Sequence, residues 1–497
     1  MEFYQDLGFR ENPFSTFSAE EELGFIEGIF LKPLYLNTLK SDIRKGHSRF
    51  ILGARGVGKT SLIYQLKSHC DESNIFSAII DDFEGIKNTK NKSDMLVMML
   101  EVIVRDFSIY LSKNPQAIKN LDFQDKEKLA FITDYFFRTI SKSEFEKHYN
   151  RVTSYKSKNF FKNIYNRVFN KPINIAVSGS VEIVSDLIRT SFGLPDPNAG
   201  KFYKNYLPEL EVENPKPKID SKIKADDKAL KLIFEDLCHV INKAGFGKPV
   251  IFFDKIDEYP TLSGNITLIS GFIEELLKDT TLLLNSNYSL VFSLWDAIKG
   301  NLNSKGVRFD KIKPVNVSWS DEQLSQMLEK RLSYFSDVDA INSERILPVS
   351  SDRQSIISLA SGSPRYLFRL LSVIYDQQNN TNPSVNAFEG TVVQGGMLIY
   401  CQSFEFYAVF PGKRGTKDDV MSSVNRLLRV GKIEVLTKDF AAAYKVSAQT
   451  ATNYVKMQQE YGLIEKTENP DGKAYLYKIK NPIIQFLINN GIKEIAV

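Results

Sequence analysis

Eight residues, Gly53-Ala54-Arg55-Gly56-Val57-Gly58-Lys59-Thr60, constrain this chain more than any other stretch. They complete the pattern G-x-x-x-x-G-K-[ST] in the context it needs. Apolar Phe50-Ile51-Leu52 leads in as a strand, and Ser61-Leu62-Ile63-Tyr64-Gln65-Leu66 leads out as an amphipathic helix. Glycines let successive backbone N–H groups curl around a phosphate, and the first turn of the helix adds the positive end of its dipole. Lys59 is placed to reach β and γ oxygens, and the Thr60 hydroxyl to ligate Mg2+. The chain is therefore expected to bind a nucleoside triphosphate, ATP, with Mg2+.

The rest of the composition fits a multidomain globular protein. A length of 497 residues suggests roughly three domains, and 43% hydrophobic with 25% charged residues is ordinary for a chain that buries a large core. Cys70, Cys238 and Cys401 are too far apart to suggest a disulfide framework. The pairs His69-Cys70 and Cys238-His239 lack the four-ligand spacing of a zinc site. The first residues carry neither the basic nor the apolar region of a signal peptide. The longest apolar run, 95–104, is interrupted by Glu101 and falls short of a membrane span. The expectation is a soluble cytoplasmic protein without a membrane partner.

The net charge of +4 is small, but it is unevenly spread. Residues 413–480 hold 13 Lys/Arg against 8 Asp/Glu. Residues 142–172 hold 8 Lys/Arg against 2 Glu, interleaved with seven aromatics. These are the two candidate surfaces for a polyanion.

Five β-rich apolar runs, 49–53, 75–83, 249–254, 288–295 and 312–319, alternate with helical patterns, which argues for a parallel sheet with crossover helices. In the third run, Val250-Ile251-Phe252-Phe253 delivers Asp254 to the end of a buried strand, where it can hold Mg2+ opposite Thr60. This order resembles the ASCE division of P-loop ATPases, which includes the AAA+ and STAND proteins. Most AAA+ proteins place a glutamate after the strand-end aspartate to polarise water; here the residue is Lys255, which cannot be that base while charged. The run Asp254-Lys255-Ile256-Asp257-Glu258 is instead similar to the D-x-hydrophobic-D-E of NACHT-type STAND ATPases. That resemblance implies Asp257 and Glu258 as the acids that orient or deprotonate water; the alternative is helix capping beside Tyr259-Pro260.

Further elements extend the resemblance. Gly362-Ser363-Pro364-Arg365, before a helix, resembles the G-x-P-R of AAA+ initiators and the G-x-P of STAND proteins. It implies a helical lid in which Arg365 senses the γ-phosphate and Pro364 packs near the base. In AAA+ relatives the loop holding Arg308 supplies an arginine finger to a neighbouring subunit, which implies a homo-oligomer; Arg308 reads equally as a loop cation. Ser293 and Asp296 both suit the sensor-1 position. The lead-in Leu7-Gly8-Phe9-Arg10-Glu11-Asn12-Pro13-Phe14 resembles a segment that packs by the adenine in bacterial AAA-type ATPases.

Residues 91–228 are too long for a simple crossover and read as a helical insertion, with a hairpin at 173–184 and an extended Pro/Lys linker at 211–226. Its basic-aromatic part, 142–172, suits either a nucleic acid strand or an amphipathic helix pair.

At the C-terminus, 437–444 and 447–457 read as a helix-turn-helix with Ser447 as N-cap, followed by strands around Asp471-Gly472. That is the pattern of a winged helix. If it reads DNA, Ser447, Gln449, Thr450, Asn453 and Lys456 face the major groove, and Lys466 and Lys473 approach phosphates. In STAND ATPases the same module is purely structural.

The expected fold is an α/β P-loop NTPase with a parallel sheet, a helical insertion and lid, and a C-terminal winged helix. Its parts are a core at 1–90 and 229–320, the insertion at 91–228, the lid at 321–400 and the winged helix at 401–497. The expected function is an ATP-driven switch or remodeller coupled to double-stranded DNA. The alternative is a STAND-like signalling or phage-defence ATPase, in which the insertion senses a protein or nucleic-acid trigger.

Overall fold

The computed structural model of the chain describes residues 2–83, 86, 92–136, 193–195, 227–262, 264–337, 341–410, 419–467 and 475–496. The basic-aromatic run 142–172, the hairpin at 173–184, the linker at 211–226 and the wing tip with Lys473 lie outside them.

The centre is a five-stranded, all-parallel sheet of β1 (Arg49–Gly53), β2 (Ser77–Ile80), β3 (Val250–Phe253), β4 (Ser289–Trp295) and β5 (Pro314–Asn316). Its order is β2-β3-β4-β1-β5, so β4 separates the strand feeding the phosphate loop from the strand ending at Asp254. The strands are short and apolar because both faces are covered. Phe50 and Leu52 of β1 join one buried cluster, and Ile51 between them joins the other. Ile251 and Phe253 of β3 alternate in the same way with Val250 and Phe252. This is the period-two register of a pleated strand buried on both sides.

One face carries α1 (Lys59–Glu72), which packs Leu62, Ile63, Leu66 and Cys70 on the sheet. The other carries α2 (Lys92–Lys113), α3 (Phe123–Phe136) and α4 (Asp227–Lys243), whose apolar stripes merge with the strands into a single cluster. The sequence boundary at residue 91 is therefore no break in packing. Met99, Ile103, Phe107 and Ile132 are as much part of the core as the strands they cover.

After β5 the chain enters helices α5 (Asp321–Phe335), α6 (Pro364–Thr381) and α7 (Gly390–Gln402). The C-terminal module follows as α8 (Val420–Val430), β6 (Glu434–Leu436), α9 (Thr437–Tyr444), α10 (Ala448–Glu460), β7 (Ile464–Thr467), β8 (Leu476–Ile479) and α11 (Pro482–Asn489). Its strands form an antiparallel sheet ordered β6-β8-β7 beside the helix-turn-helix of α9 and α10, the winged-helix arrangement. Lys445 makes the tight turn in the left-handed region at φ 51°, and Ser447 caps α10 by accepting from the Thr450 N–H at 3.2 Å.

The lid helices, the C-terminal module and the N-terminal residues Phe3, Leu7, Phe9 and Phe14 share one buried cluster. Tyr366 of α6 packs edge-on against Phe404 at 5.1 Å, and Phe404 against Phe406 at 5.0 Å, so the core runs without interruption past the boundary at 400. Among the described residues, no helix is long and apolar enough to cross a membrane.

Candidate active site

The carboxyl ends of β1 and β3 open on a cavity whose empty space, open solvent at its mouth included, is about 970 Å3. Its polar end is the phosphate loop. Gly56 and Gly58 sit at φ 78° and 87°, in the region that favours glycine, so the main chain between β1 and α1 can curl back on itself. Lys59 Nζ donates to the carbonyls of Gly53 and Ala54, each at 2.9 Å. Burial lowers its pKa, while the charges of Asp257, Asp254, Asp296 and Glu258 work the other way.

Thr60 Oγ1 donates to Asp254 Oδ2 at 2.8 Å. Asp254 is 3% exposed, and burial pushes its pKa up against the contacts from Ser293 and Thr60. Ser293 on β4 lies against that carboxylate, and its buried Oγ completes no full hydrogen bond. A hydroxyl, a carboxylate and an unsatisfied buried oxygen make the hard donor set that suits Mg2+, with Thr60 and Asp254 as the residues to hold it. Of the two sensor-1 candidates, Ser293 is thus turned into the site, whereas Asp296 is exposed.

The next four residues separate sharply. Lys255 is left-handed at φ 57°, and its Nζ pairs with Glu20 and stands 3.8 Å from Asp81 Oδ2. Burial opposes its charge, but the bond to Glu20 and the nearby acids outweigh it and leave the pKa raised. The pair with Glu20 ties it to the N-terminal segment. Asp257 is 5% exposed and bound by Arg55, Nε to Oδ2 at 2.7 Å. Glu258 is open to the cavity, yet desolvation by the surrounding protein, and then the Asp257 charge, raise its pKa. Both acids lie in the three-residue turn Ile256–Glu258.

The lid docks directly on the phosphate loop. Ser363 Oγ and the Arg365 N–H donate to the Gly56 carbonyl at 3.0 and 3.3 Å, and Trp319 Nε1 to the Val57 carbonyl at 2.8 Å. A Cβ on Gly56 would stand 2.6 Å from Ser363 Oγ, so this closeness requires glycine. Pro364 and Arg365 both border the cavity, and the Arg365 charge acts on Glu20, Glu22 and Glu258.

The apolar end is formed by Phe17, Ile26, Ile29, Phe30, Met327 and Phe368. The expected lead-in residues are not there: Phe9 and Phe14 are fully buried in the lid core, Phe14 near Tyr375 and Phe388 at 6.3 Å each. It is the segment just after them that lines the wall.

That segment is fixed by a residue with no place in the expected site. Arg331 on α5, 1% exposed, donates to Glu22 Oε1 at 2.5 Å, the Pro13 carbonyl at 2.5 Å and the Thr16 carbonyl at 2.6 Å, and stacks over Phe368 at 4.3 Å. Its signal was in the sequence. Leu324, Met327, Leu328, Arg331, Leu332 and Phe335 form one helical stripe, and a cation on an apolar stripe demands a buried partner.

Arg308 is outside the cavity, half-exposed and paired bidentately with Asp310 at 2.6 and 2.8 Å. In the C-terminal module, Gln449, Asn453 and Lys456 are exposed along one face of α10, while Ala451, Val455 and Gln458 bury the opposite face. Thr450 is half-buried, and the Ser447 hydroxyl is engaged in the cap.

No family model and no curated protein matches the chain. Among solved structures it is similar to Cdc6p from Pyrobaculum aerophilum, at 13% identity and a TM-score of 0.34, covering 98% of this chain and 100% of that one. It is also similar to Drosophila ORC bound to DNA, at 9% identity and a TM-score of 0.31, covering 97% and 90%. At that level of likeness, what the chain does rests on its own residues.

Proposed function

We propose that this chain is an ATP-binding and ATP-hydrolysing switch that acts on duplex DNA through its C-terminal helix-turn-helix. The observation that carries the reading is the lid seated on the phosphate loop, Ser363 and Arg365 on the Gly56 carbonyl and Trp319 on that of Val57. Phosphates entering the loop meet Lys59 from below and Arg365 from the lid, so the lid responds to whether a γ-phosphate is present. Because lid and C-terminal module share one apolar core, motion of the lid carries α10 with it.

Lys59, with the backbone of Gly53, Ala54, Arg55, Gly56, Val57, Gly58, Thr60 and Ser61, cradles the phosphates. Thr60 and Asp254 would hold Mg2+, which when bound offsets phosphate charge. Glu258 receives the proton of the attacking water as its oxygen bonds the γ-phosphorus and the bond to ADP breaks. Arg308, exposed and outside its own cavity, is available to a neighbouring subunit of a homo-oligomer. Isothermal titration with ATP in Mg2+ and in EDTA tests the site: wild-type binding should be Mg2+-dependent, and its absence would refute the reading.

A second reading is favoured by the same shared core. A C-terminal module packed so continuously on the lid suits a STAND-like signalling protein in which it is structural. Nucleotide-dependent assembly in size-exclusion chromatography, with no salt-sensitive DNA binding, would select it.

A further inference from the structure

Arg55 borders the cavity, yet its nitrogens are turned toward protein. Nε donates to Asp257 Oδ2 at 2.7 Å and Nη2 to the Asp257 carbonyl at 2.5 Å. The guanidinium lies over the Trp295 ring at 4.8 Å, and Nη1 extends toward the Ala408 carbonyl at 3.5 Å. The pair is secluded, with Arg55 15% and Asp257 6% exposed at the side chain.

A planar fork that takes one residue by both side chain and main chain fixes that residue's backbone as well as its charge. Here it fixes the turn Ile256–Glu258, and with it the point from which the Glu258 side chain leaves. Both acids of the turn line the cavity, but the same contact occupies buried Asp257 and leaves exposed Glu258 as the acid that Arg55 does not engage. Ala408 lies in the short helix Phe406–Val409, whose Phe406 packs on Phe404 and through it on Tyr366 of the lid.

We propose that Arg55 is a positioning residue: through Asp257 it holds the turn so that Glu258 meets the attacking water, and through Ala408 it ties that turn to the C-terminal region. The inference rests on the ATPase reading above. Two consequences separate it from a loop arginine that merely contributes stability. Loss of Arg55 or of its partner should lower kcat and spare nucleotide affinity, because neither side chain need touch the phosphates. The two losses should also not multiply, because they remove the same contact.

The test uses the full chain, Arg55→Gln, Asp257→Asn and the double variant. Affinity is read with a fluorescent ATP analogue and turnover by phosphate release. Hydrogen exchange is followed over residues 404–410 with and without a non-hydrolysable ATP analogue. Expected are dissociation constants within about threefold of wild type, kcat lowered about tenfold or more in each single variant, and a double variant no slower than the slower single. The nucleotide-induced change in exchange at 404–410, present in the wild type, should be lost in Arg55→Gln. Should Arg55→Gln not fold, the near-isosteric Asp257→Asn gives the same kinetic readout. Unchanged kcat in both singles, losses that multiply, weakened affinity in step with kcat, or an exchange response that survives in Arg55→Gln each overturns the inference. A wild-type chain that neither binds nor turns over ATP overturns the ATPase reading itself, and this inference with it.

Discussion

Thr60 and Asp254 are separated by 194 positions in the chain, and their side chains meet at 2.8 Å. That contact joins the first turn of α1 to the end of β3, the two places where the sequence suggested Mg2+ ligands, and it makes a definite demand. Asp254→Asn keeps the shape and removes the charge. ATP affinity measured in Mg2+ should fall toward the value in EDTA, and turnover should be lost. Mg2+-dependent affinity equal to that of the wild type would remove Asp254 from the metal site.

Glu258→Gln should keep ATP bound and lower turnover by about 10²-fold or more, the scale of losing a general base. A base must be deprotonated to act, and the pKa of Glu258 is raised by desolvation and by Asp257. Wild-type turnover should therefore decline with falling pH through a pKa above the ordinary glutamate value, and that limb should be absent in Glu258→Gln. The variant should also hold the ATP-bound assembly as a larger stable species in size-exclusion chromatography. Lys255→Ala should slow turnover far less, because Lys255 is charged and paired with Glu20.

The phosphate loop, the five strands, both helices of the helix-turn-helix and the Ser447 cap were legible in the sequence because each is a local pattern. Strand periodicity, glycine spacing and a cap residue depend on neighbours a few positions away. The rest depended on distant partners. Nothing near Arg55 announces that it will meet Asp257, and nothing near Glu20 announces Lys255. The lead-in 7–14 resembles a nucleotide-contacting segment, yet Phe14 is drawn into the lid core beside Tyr375 and Phe388, and Phe9 is buried in the same cluster. The strand Glu434–Leu436 is only three residues long, too short for alternation to register.

Arg331→Met should act through the N-terminal segment. It leaves Glu22, already raised in pKa by burial, without its partner in the interior. Removing one side of such a pair costs about 3–5 kcal/mol. The melting temperature should drop and residues 13–31 should become sensitive to protease, with ATP protecting less than in the wild type. A variant as stable and as resistant as the wild type would mean that the buried pair does not hold the wall of the cavity.

Asn453→Ala with Lys456→Ala should weaken duplex DNA binding, since both side chains are exposed on one face of α10 and neither supports the core. Loss of Lys456 should reduce the slope of log affinity against log salt by about one if it contacts one phosphate. Folding should be unaffected. Unaltered affinity and slope would favour the structural reading of the module.

The central claim is that nucleotide in the Lys59 cradle governs what the C-terminal module does. The most direct measurement is duplex-DNA affinity of the full chain by fluorescence anisotropy, with and without ATP and Mg2+, in wild type and Lys59→Ala. The account predicts that ATP shifts wild-type affinity by about tenfold or more, a coupling of roughly 1.4 kcal/mol. Lys59→Ala should bind DNA at one affinity regardless of ATP. A Lys59→Ala chain that binds ATP and shows the same shift, or a wild type that binds both ligands with no effect of one on the other, would contradict it.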